Sequence, residues 1–247
     1  MNSALTIFFS LSFLFASSQE LLPGGKIAFL GYNSDTSSVF VMTSDGSDIQ
    51  QVTPDSIEVH SFAISPDGSE LVASIDGDIF IINIASGSMK KLTHNRSTYA
   101  PEWSPNGKHI AFSDRFGEYA ELCVIDTGGL EYRRLTPFHT NEGNISSTWA
   151  PDSKEIAFQG RGYDFFIVNI DKPRGIRQIT HTGSDKIPIV ARKSPSWSPD
   201  GKKIAYFKEC LESGLYHGGI YIMNTDGSDP TLILELNGRA IIDWSPN

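Results

Sequence analysis

One turn recurs along this chain and limits what it can fold into. Its copies are Ser65-Pro-Asp-Gly68, Ser104-Pro-Asn-Gly107, Ala150-Pro-Asp-Ser153, Ser198-Pro-Asp-Gly201 and Ser245-Pro-Asn247. Proline presets φ, Asp or Asn can bond its own backbone, and Gly tolerates positive φ. The turn prolines Pro66, Pro105, Pro151, Pro199 and Pro246 lie 39, 46, 48 and 47 residues apart. Short apolar runs flank each turn, as in Lys202-Lys-Ile-Ala-Tyr-Phe207. A second half-unit follows, with a turn such as Asn224-Thr-Asp-Gly-Ser228 and a strand ending near Leu-Thr or Ile-Thr. Four strands per period of roughly 40–50 residues is the arithmetic of a β-propeller blade.

Strand A has copies ending at Ile64, Trp103, Trp149, Trp197 and Trp244. Strand B has copies around Ile27, Leu71, Ile110, Ile156 and Ile204, and strand C around Val41, Ile81, Val124, Ile167 and Ile222. Strand D has copies at Val52, Leu92, Leu135, Ile179 and Leu234. The first copy lacks strand A, and the last, within Ala240–Pro246, has only strand A. The expectation is an all-β propeller of five four-stranded blades, closed by pairing of the C-terminal strand with the strand around Ile27. The alternative is a fragment of a larger, six- or seven-bladed propeller.

Trp197-Ser-Pro-Asp-Gly-Lys-Lys-Ile-Ala-Tyr206 followed by Gly219-Ile-Tyr-Ile-Met-Asn-Thr-Asp-Gly-Ser228 closely resembles the TolB-type propeller repeat, a WD-like repeat. The likeness runs from about Pro23 to Asn247. It implies the fold. TolB itself places an α/β domain before a six-bladed propeller, a pattern from which this sequence departs, so its function is not carried over.

Residues 1–18 read as a signal peptide, with an apolar Leu5–Ala16 run and small residues Ala16-Ser-Ser18 before Gln19. The expected organisation is a signal peptide over 1–18 and one propeller domain over 19–247, in a periplasmic or secreted protein that acts as a monomer without membrane insertion. The formal charge of −9 disfavours a phosphate-tracking nucleic-acid surface. Lys90-Lys91, Arg133-Arg134 and Lys202-Lys203 read as solvated strand residues. Cys123 occupies the slot of Phe40, Phe80, Phe166 and Tyr221 in other copies, and Cys210 falls two blades away, so a disulfide is not expected. Asn95-Arg-Ser97 and Asn144-Ile-Ser146 are glycosylation sequons.

No Gly-x-Ser-x-Gly elbow, phosphate-binding glycine loop, His-Glu-x-x-His or Cys-x-x-Cys occurs, and no cofactor is implied. The Asp-Gly pairs read as turn chemistry rather than calcium loops. His60, His94, His139 and His181 fall in D–A connections and His217 in a B–C connection, which places five of the six histidines toward one face. Polyuronate lyases built on propellers use metal-bound histidine. A metal-dependent carbohydrate-active enzyme is therefore the alternative reading.

The A–B and C–D turns are short and alike, whereas the D–A and B–C connections differ in length and content. The latter hold Tyr32, Tyr99, Phe116, Tyr119, Phe138, Tyr163 and Tyr216 with Arg96, Arg115, Arg161 and Arg192. Aromatic and arginine side chains dominate binding hot spots. The favoured function is a binding module presenting this face to an envelope or extracellular protein or glycan.

Overall fold

The computed structural model describes residues 21–22, 26–32, 36–94, 96–136, 145–182, 189–212, 215–236, 242 and 244. They form five antiparallel sheets of four strands, the blades of a propeller. Blade one is β1 (Leu21–Leu22), β2 (Lys26–Tyr32), β3 (Ser37–Thr43) and β4 (Gln50–Gln51). Blade two is β5 (Val59–Ile64), β6 (Glu70–Ile75), β7 (Asp78–Asn83) and β8 (Met89–Lys91). Blade three is β9 (Thr98–Trp103), β10 (His109–Phe116), β11 (Tyr119–Asp126) and β12 (Arg133–Arg134). Blade four is β13 (Ser147–Trp149), β14 (Glu155–Gln159), β15 (Phe165–Asn169) and β16 (Lys172–Gln178). Blade five is β17 (Ile189–Trp197), β18 (Lys203–Glu212), β19 (Leu215–Asn224) and β20 (Thr231–Leu236).

The recurring turn is a hydrogen-bonded clip. Ser65 Oγ donates to Asp67 Oδ1 at 2.7 Å, which also accepts the Ser69 amide at 3.0 Å. The same Oγ accepts the Glu70 amide at 2.9 Å, tying the strand before the turn to the strand after it. Ser104 with Asn106, and Ser198 with Asp200, repeat the arrangement. Hydroxyl and amide donors hold the exposed Asp67 and Asp200 carboxyls below their ordinary range, the serine hydroxyl first. Gly68, Gly107 and Gly201 take φ of 72°, 70° and 72°. Blade four lacks the serine, having Ala150, and holds Ser153 at φ 61° where the others use Gly.

Side chains alternate across each strand, and every interior blade is wetted by apolar residues on both sides. Leu71, Ala73 and Ile75 of β6 pack with Ala28, Val39, Val41 and Val52 of blade one. Val72 points the other way and packs with Ile110, Phe112 and Cys123 of blade three. The next cluster joins Leu122 and Val124 to Ile156 and Phe158, and the next joins Ile167 and Ile179 to Trp197 and Ile204. Each core thus straddles two consecutive blades.

A ring-on-ring contact between strands B and C marks three blades. Phe29 stacks on Phe40 at 5.6 Å, Phe158 on Phe166 at 5.7 Å and Tyr206 on Tyr221 at 5.7 Å. In blade three the register puts Cys123 opposite Phe112. The small thiol leaves space that Tyr132 fills, its ring 6.0 Å from Phe112 and its hydroxyl 3.1 Å from Cys123 Sγ. Cys123 and Cys210 are both buried, and neither is in a disulfide.

The innermost strand of blade one differs from the sequence expectation. Leu21 pairs with Ile27 and Leu22 with Lys26. That edge of β2 is thus filled by its near neighbours in sequence, a pairing with little loop-closure cost. Trp244 sits against blade five: its indole donates to the Ser196 carbonyl at 3.0 Å, as that of Trp149 donates to Glu102 at 3.3 Å. Residues 237–241, 243 and 245–247, and the expected signal segment 1–18, lie outside the described residues.

Restoring the serine of blade four tests the clip. Ala150→Ser should add a donor to Asp152 and an acceptor for the Glu155 amide, raising stability by about 0.5–1.5 kcal/mol. The measurement is urea unfolding, and a midpoint at or below that of the parent counts against the clip as a source of stability.

Candidate binding face

In every blade the B–C and D–A connections leave the sheet at the end opposite the serine clips. A second side-chain device holds that end. The hydroxyls of Thr53, Thr93, Thr136 and Thr180, just beyond strand D, accept the strand-C amides of Val39, Ile79, Leu122 and Phe165 at 2.8, 2.9, 2.8 and 2.8 Å. The residue before each of those amides is Ser38, Asp78, Glu121 or Asp164, all buried. Each of these is met by the residue two places before the threonine. Lys91 Nζ lies 2.8 Å from Asp78, Arg134 pairs with Glu121 through two nitrogens, and Gln178 donates to Asp164 at 3.1 Å. Gln51 approaches Ser38 at 3.4 Å. Blade five has neither partner: Gly219 stands opposite Glu235, and a Cβ on Gly219 would lie 2.7 Å from the Leu234 carbonyl.

The basic dipeptides on strand D are more than solvated residues. Period-2 alternation sends their two side chains opposite ways. Lys91 and Arg134 turn to the buried acid of their own blade. Lys90 and Arg133 reach the next blade, donating to the carbonyls of Thr127 at 3.0 Å and Ile170 at 3.1 Å. Arg177 does the same to Thr225 at 3.3 Å.

Around the β10–β11 hairpin these devices converge with aromatic rings. Phe116 and Tyr119 face each other across the tip, where Gly117 takes φ 66°. The Arg134 guanidinium lies 4.2 Å from the Phe116 ring centre. Arg96, from the connection into blade three, lies 4.6 Å from the Tyr132 ring and 5.9 Å from Phe116. Its amide donates to Asp78 at 3.1 Å, and its Nη1 is 3.5 Å from Asp114 Oδ2. Tyr132 donates to the same Oδ2 at 2.8 Å, leaving Oδ1 buried without a partner. Burial raises the Asp114 carboxyl above its ordinary range, and it lifts the Tyr132 hydroxyl and the Cys123 thiol too, the latter to about 12. Asp78 is also pushed up by burial, but Lys91, Thr93 and the Arg96 amide outweigh that and hold it below the usual carboxylate range.

The sequence-predicted residues are distributed as follows. Arg115, Phe116 and Tyr119 gather at the blade-three hairpin tip, on strand ends rather than in a loop. Tyr99 lies on β9 with its ring 6.4 Å from His60. Tyr163 is exposed, at φ 64° in a 3-10 turn over Arg161–Tyr163. Arg192 pairs with Lys208 in blade five, and Tyr216 with Leu211. The side chains of Arg161, Arg192 and Tyr216, and the whole of Phe138, His139, Asn95 and Asn144, lie outside the described residues. His60 is on β5, 4.0 Å from Glu58, and His217 is on β19 opposite Cys210, both on strands rather than in the connections expected. His94 and His181 are exposed. Among the described residues no three His, Cys, Asp or Glu side chains come together to hold a metal ion. Arg134 and Tyr132 escaped the sequence reading. The signal for Tyr132 was Cys123 in an aromatic slot, which a larger side chain had to compensate.

The TolB beta propeller domain model matches residues 18–247. The chain belongs to this family. It is 26% identical over 149 residues to the Protein TolB homolog of Chlorobium chlorochromatii (strain CaD3), covering 58% of this chain and 33% of that protein. TolB from Acinetobacter baumannii superposes with a TM-score of 0.60 at 19% identity, over 82% of this chain and 62% of TolB. An oligogalacturonate lyase in complex with manganese superposes at 0.68 with 14% identity, over 88% of this chain and 64% of the lyase. Both structural likenesses show the fold alone. The chain spans about a third of the length of the first relative.

Two outcomes check the geometry of this TolB-type face. Thr93→Val leaves the buried Ile79 amide without its acceptor and removes a donor from Asp78, so stability should fall by about 1–3 kcal/mol in urea unfolding. The depressed Asp78 carboxyl contributes stability that is present above its unfolded pKa, near 4, and is lost as pH falls through its lower folded value. Raised Asp114 acts oppositely, its contribution being complete below the unfolded value and fading as pH rises through the folded one. Asp78→Asn should therefore flatten the decline in melting temperature below pH 4. An unchanged acid limb would remove Asp78 as its source.

Proposed function

We propose that this chain is an exported interaction module that engages a protein through the end of the propeller formed by the B–C and D–A connections. One observation carries the reading. At the opposite end the same serine clip recurs in blades two, three and five, closing on Asp67, Asn106 and Asp200, its side chains consumed by backbone geometry. At this end the blades carry unlike groups: the Arg96–Phe116–Arg134 stack of blade three and the exposed Tyr163 of blade four. Loops and strand tips on a rigid scaffold are where binding residues are displayed, and aromatic and arginine side chains supply most hot spots. The apolar run and small residues before Gln19 support export. No helix among the described residues is long and apolar enough to cross a membrane. An exported chain would meet its partner in the envelope or outside the cell.

Alanine replacement of Arg115, Tyr119 and Tyr163, against replacement of Lys202 and Ser228 at the clip end, separates the faces. The first set should lose capture of a partner cross-linked from an envelope fraction while melting like the parent. Hot-spot truncations of this kind cost about 1–4 kcal/mol each. Loss confined to the Lys202/Ser228 set would reverse the assignment. Export is read by intact mass: the exported chain should begin at Gln19, and a chain retaining Met1 would sink that part.

A further inference from the structure

The interaction reading leaves the chemistry of the partner open, and the blade-three cluster narrows it. The Arg96, Arg134 and Lys91 side chains are 36%, 40% and 40% exposed. Their counter-charges lie underneath: Asp114, Glu121 and Asp78 side chains are 1%, 0% and 5% exposed. A protein with a net charge of −9 therefore turns its cations outward and its anions inward here. Arg115 stands exposed on the same hairpin, whose turn also carries the exposed Glu118.

The arginines are held before any partner arrives. Arg134 is fixed by two nitrogens on Glu121 and by Phe116. Arg96 rests on Tyr132, which is itself tied to Asp114. Its guanidinium approaches a carboxylate only at 3.5 Å, and among the described residues it makes no closer polar contact. A guanidinium carries five donors in a planar fork that matches a carboxylate. Holding it in place beforehand lowers the ordering cost of binding.

Resting on the interaction reading above, we propose that Arg96, flanked by Arg134 and Arg115, receives a carboxylate side chain of an acidic protein segment. Charge complementarity selects the anion. The rings favour a peptide over a sugar acid: Phe116 and Tyr132 lie under guanidinium groups, which leaves fork donors rather than an open aromatic plane for a pyranose to stack on.

The test uses the mature chain and fluorescein-labelled hexaglutamate, followed by anisotropy. The parent should bind, with affinity falling steeply between 50 and 300 mM salt, as expected for exposed charges at roughly a Debye length. Arg96→Gln should weaken binding about tenfold, in line with loss of a charge-assisted hydrogen bond. Arg96→Lys, which keeps charge but not the fork, should fall between the two. Lys172→Gln with Arg174→Gln on β16 should leave affinity unchanged. Equal losses in the Arg96 and β16 variants would reduce the effect to general electrostatics and overturn the proposal. So would tight binding of oligogalacturonate with none of hexaglutamate, which would assign the site to a uronate. Thermal melts identify any loss due to unfolding. If Arg96→Lys also melts early, Arg115→Gln carries the test, with a partial loss expected and no loss overturning the proposal. If hexaglutamate binding survives Arg96→Gln while the Arg115/Tyr119/Tyr163 variant still loses partner capture, the face stands and the carboxylate assignment falls.

Discussion

Four of the five blades depend on a threonine hydroxyl at the end of the outer strand. That strand is only two or three residues long in blades one to three, and such a short ladder has few backbone bonds to hold it. The hydroxyl accepts a buried strand-C amide that the ladder would otherwise leave open. Once it is in place, an acid in strand C and its donor in strand D come into contact, and the connection to the next blade starts from a fixed point. A buried amide without an acceptor costs more than a typical hydrogen bond gains, so the device acts chiefly by avoiding that loss. Blade five has no such threonine and uses a longer ladder instead, from Thr231 to Leu236.

The repeat made most of the fold legible. Proline spacing fixed the blade period, and the tryptophan, apolar and Leu-Thr positions located strands B to D of all five blades, and strand A of blades two to five, to within a residue. Trp103, Ile110, Val124 and Leu135 all lie in blade three as expected. The first strand was missed because Leu21–Leu22 is two residues long and has no Trp-Ser-Pro signature. A register that short is set by local closure, not by patterning.

The binding face was legible only in outline. Arg115, Phe116 and Tyr119 were located because they sit beside a turn in sequence. Arg96, Tyr132 and Arg134 come from two other segments, and only the folded blade brings them onto Phe116 and Asp114. A dipeptide such as Arg133-Arg134 looks the same whether its side chains are solvated or divided between two blades. Only the buried acid of strand C, visible once the register is known, separates the cases. The histidines show the converse. Their shared side of the repeat was readable, but among the described residues no three of the groups that could hold a metal come together.

The straddling of each core across two blades has a consequence for how motion is distributed. Blades two, three and four each share a core with a neighbour on both sides, whereas the cores of blades one and five, among the described residues, reach a neighbour on one side. In a chain of nearest-neighbour interfaces, local opening is easiest where one interface rather than two must be given up. The amides of β6, β10 and β14, each set between two shared cores, are therefore expected to exchange slowly with solvent. The Arg96–Phe116 cluster stands on blade three, which is anchored by a shared core on each side.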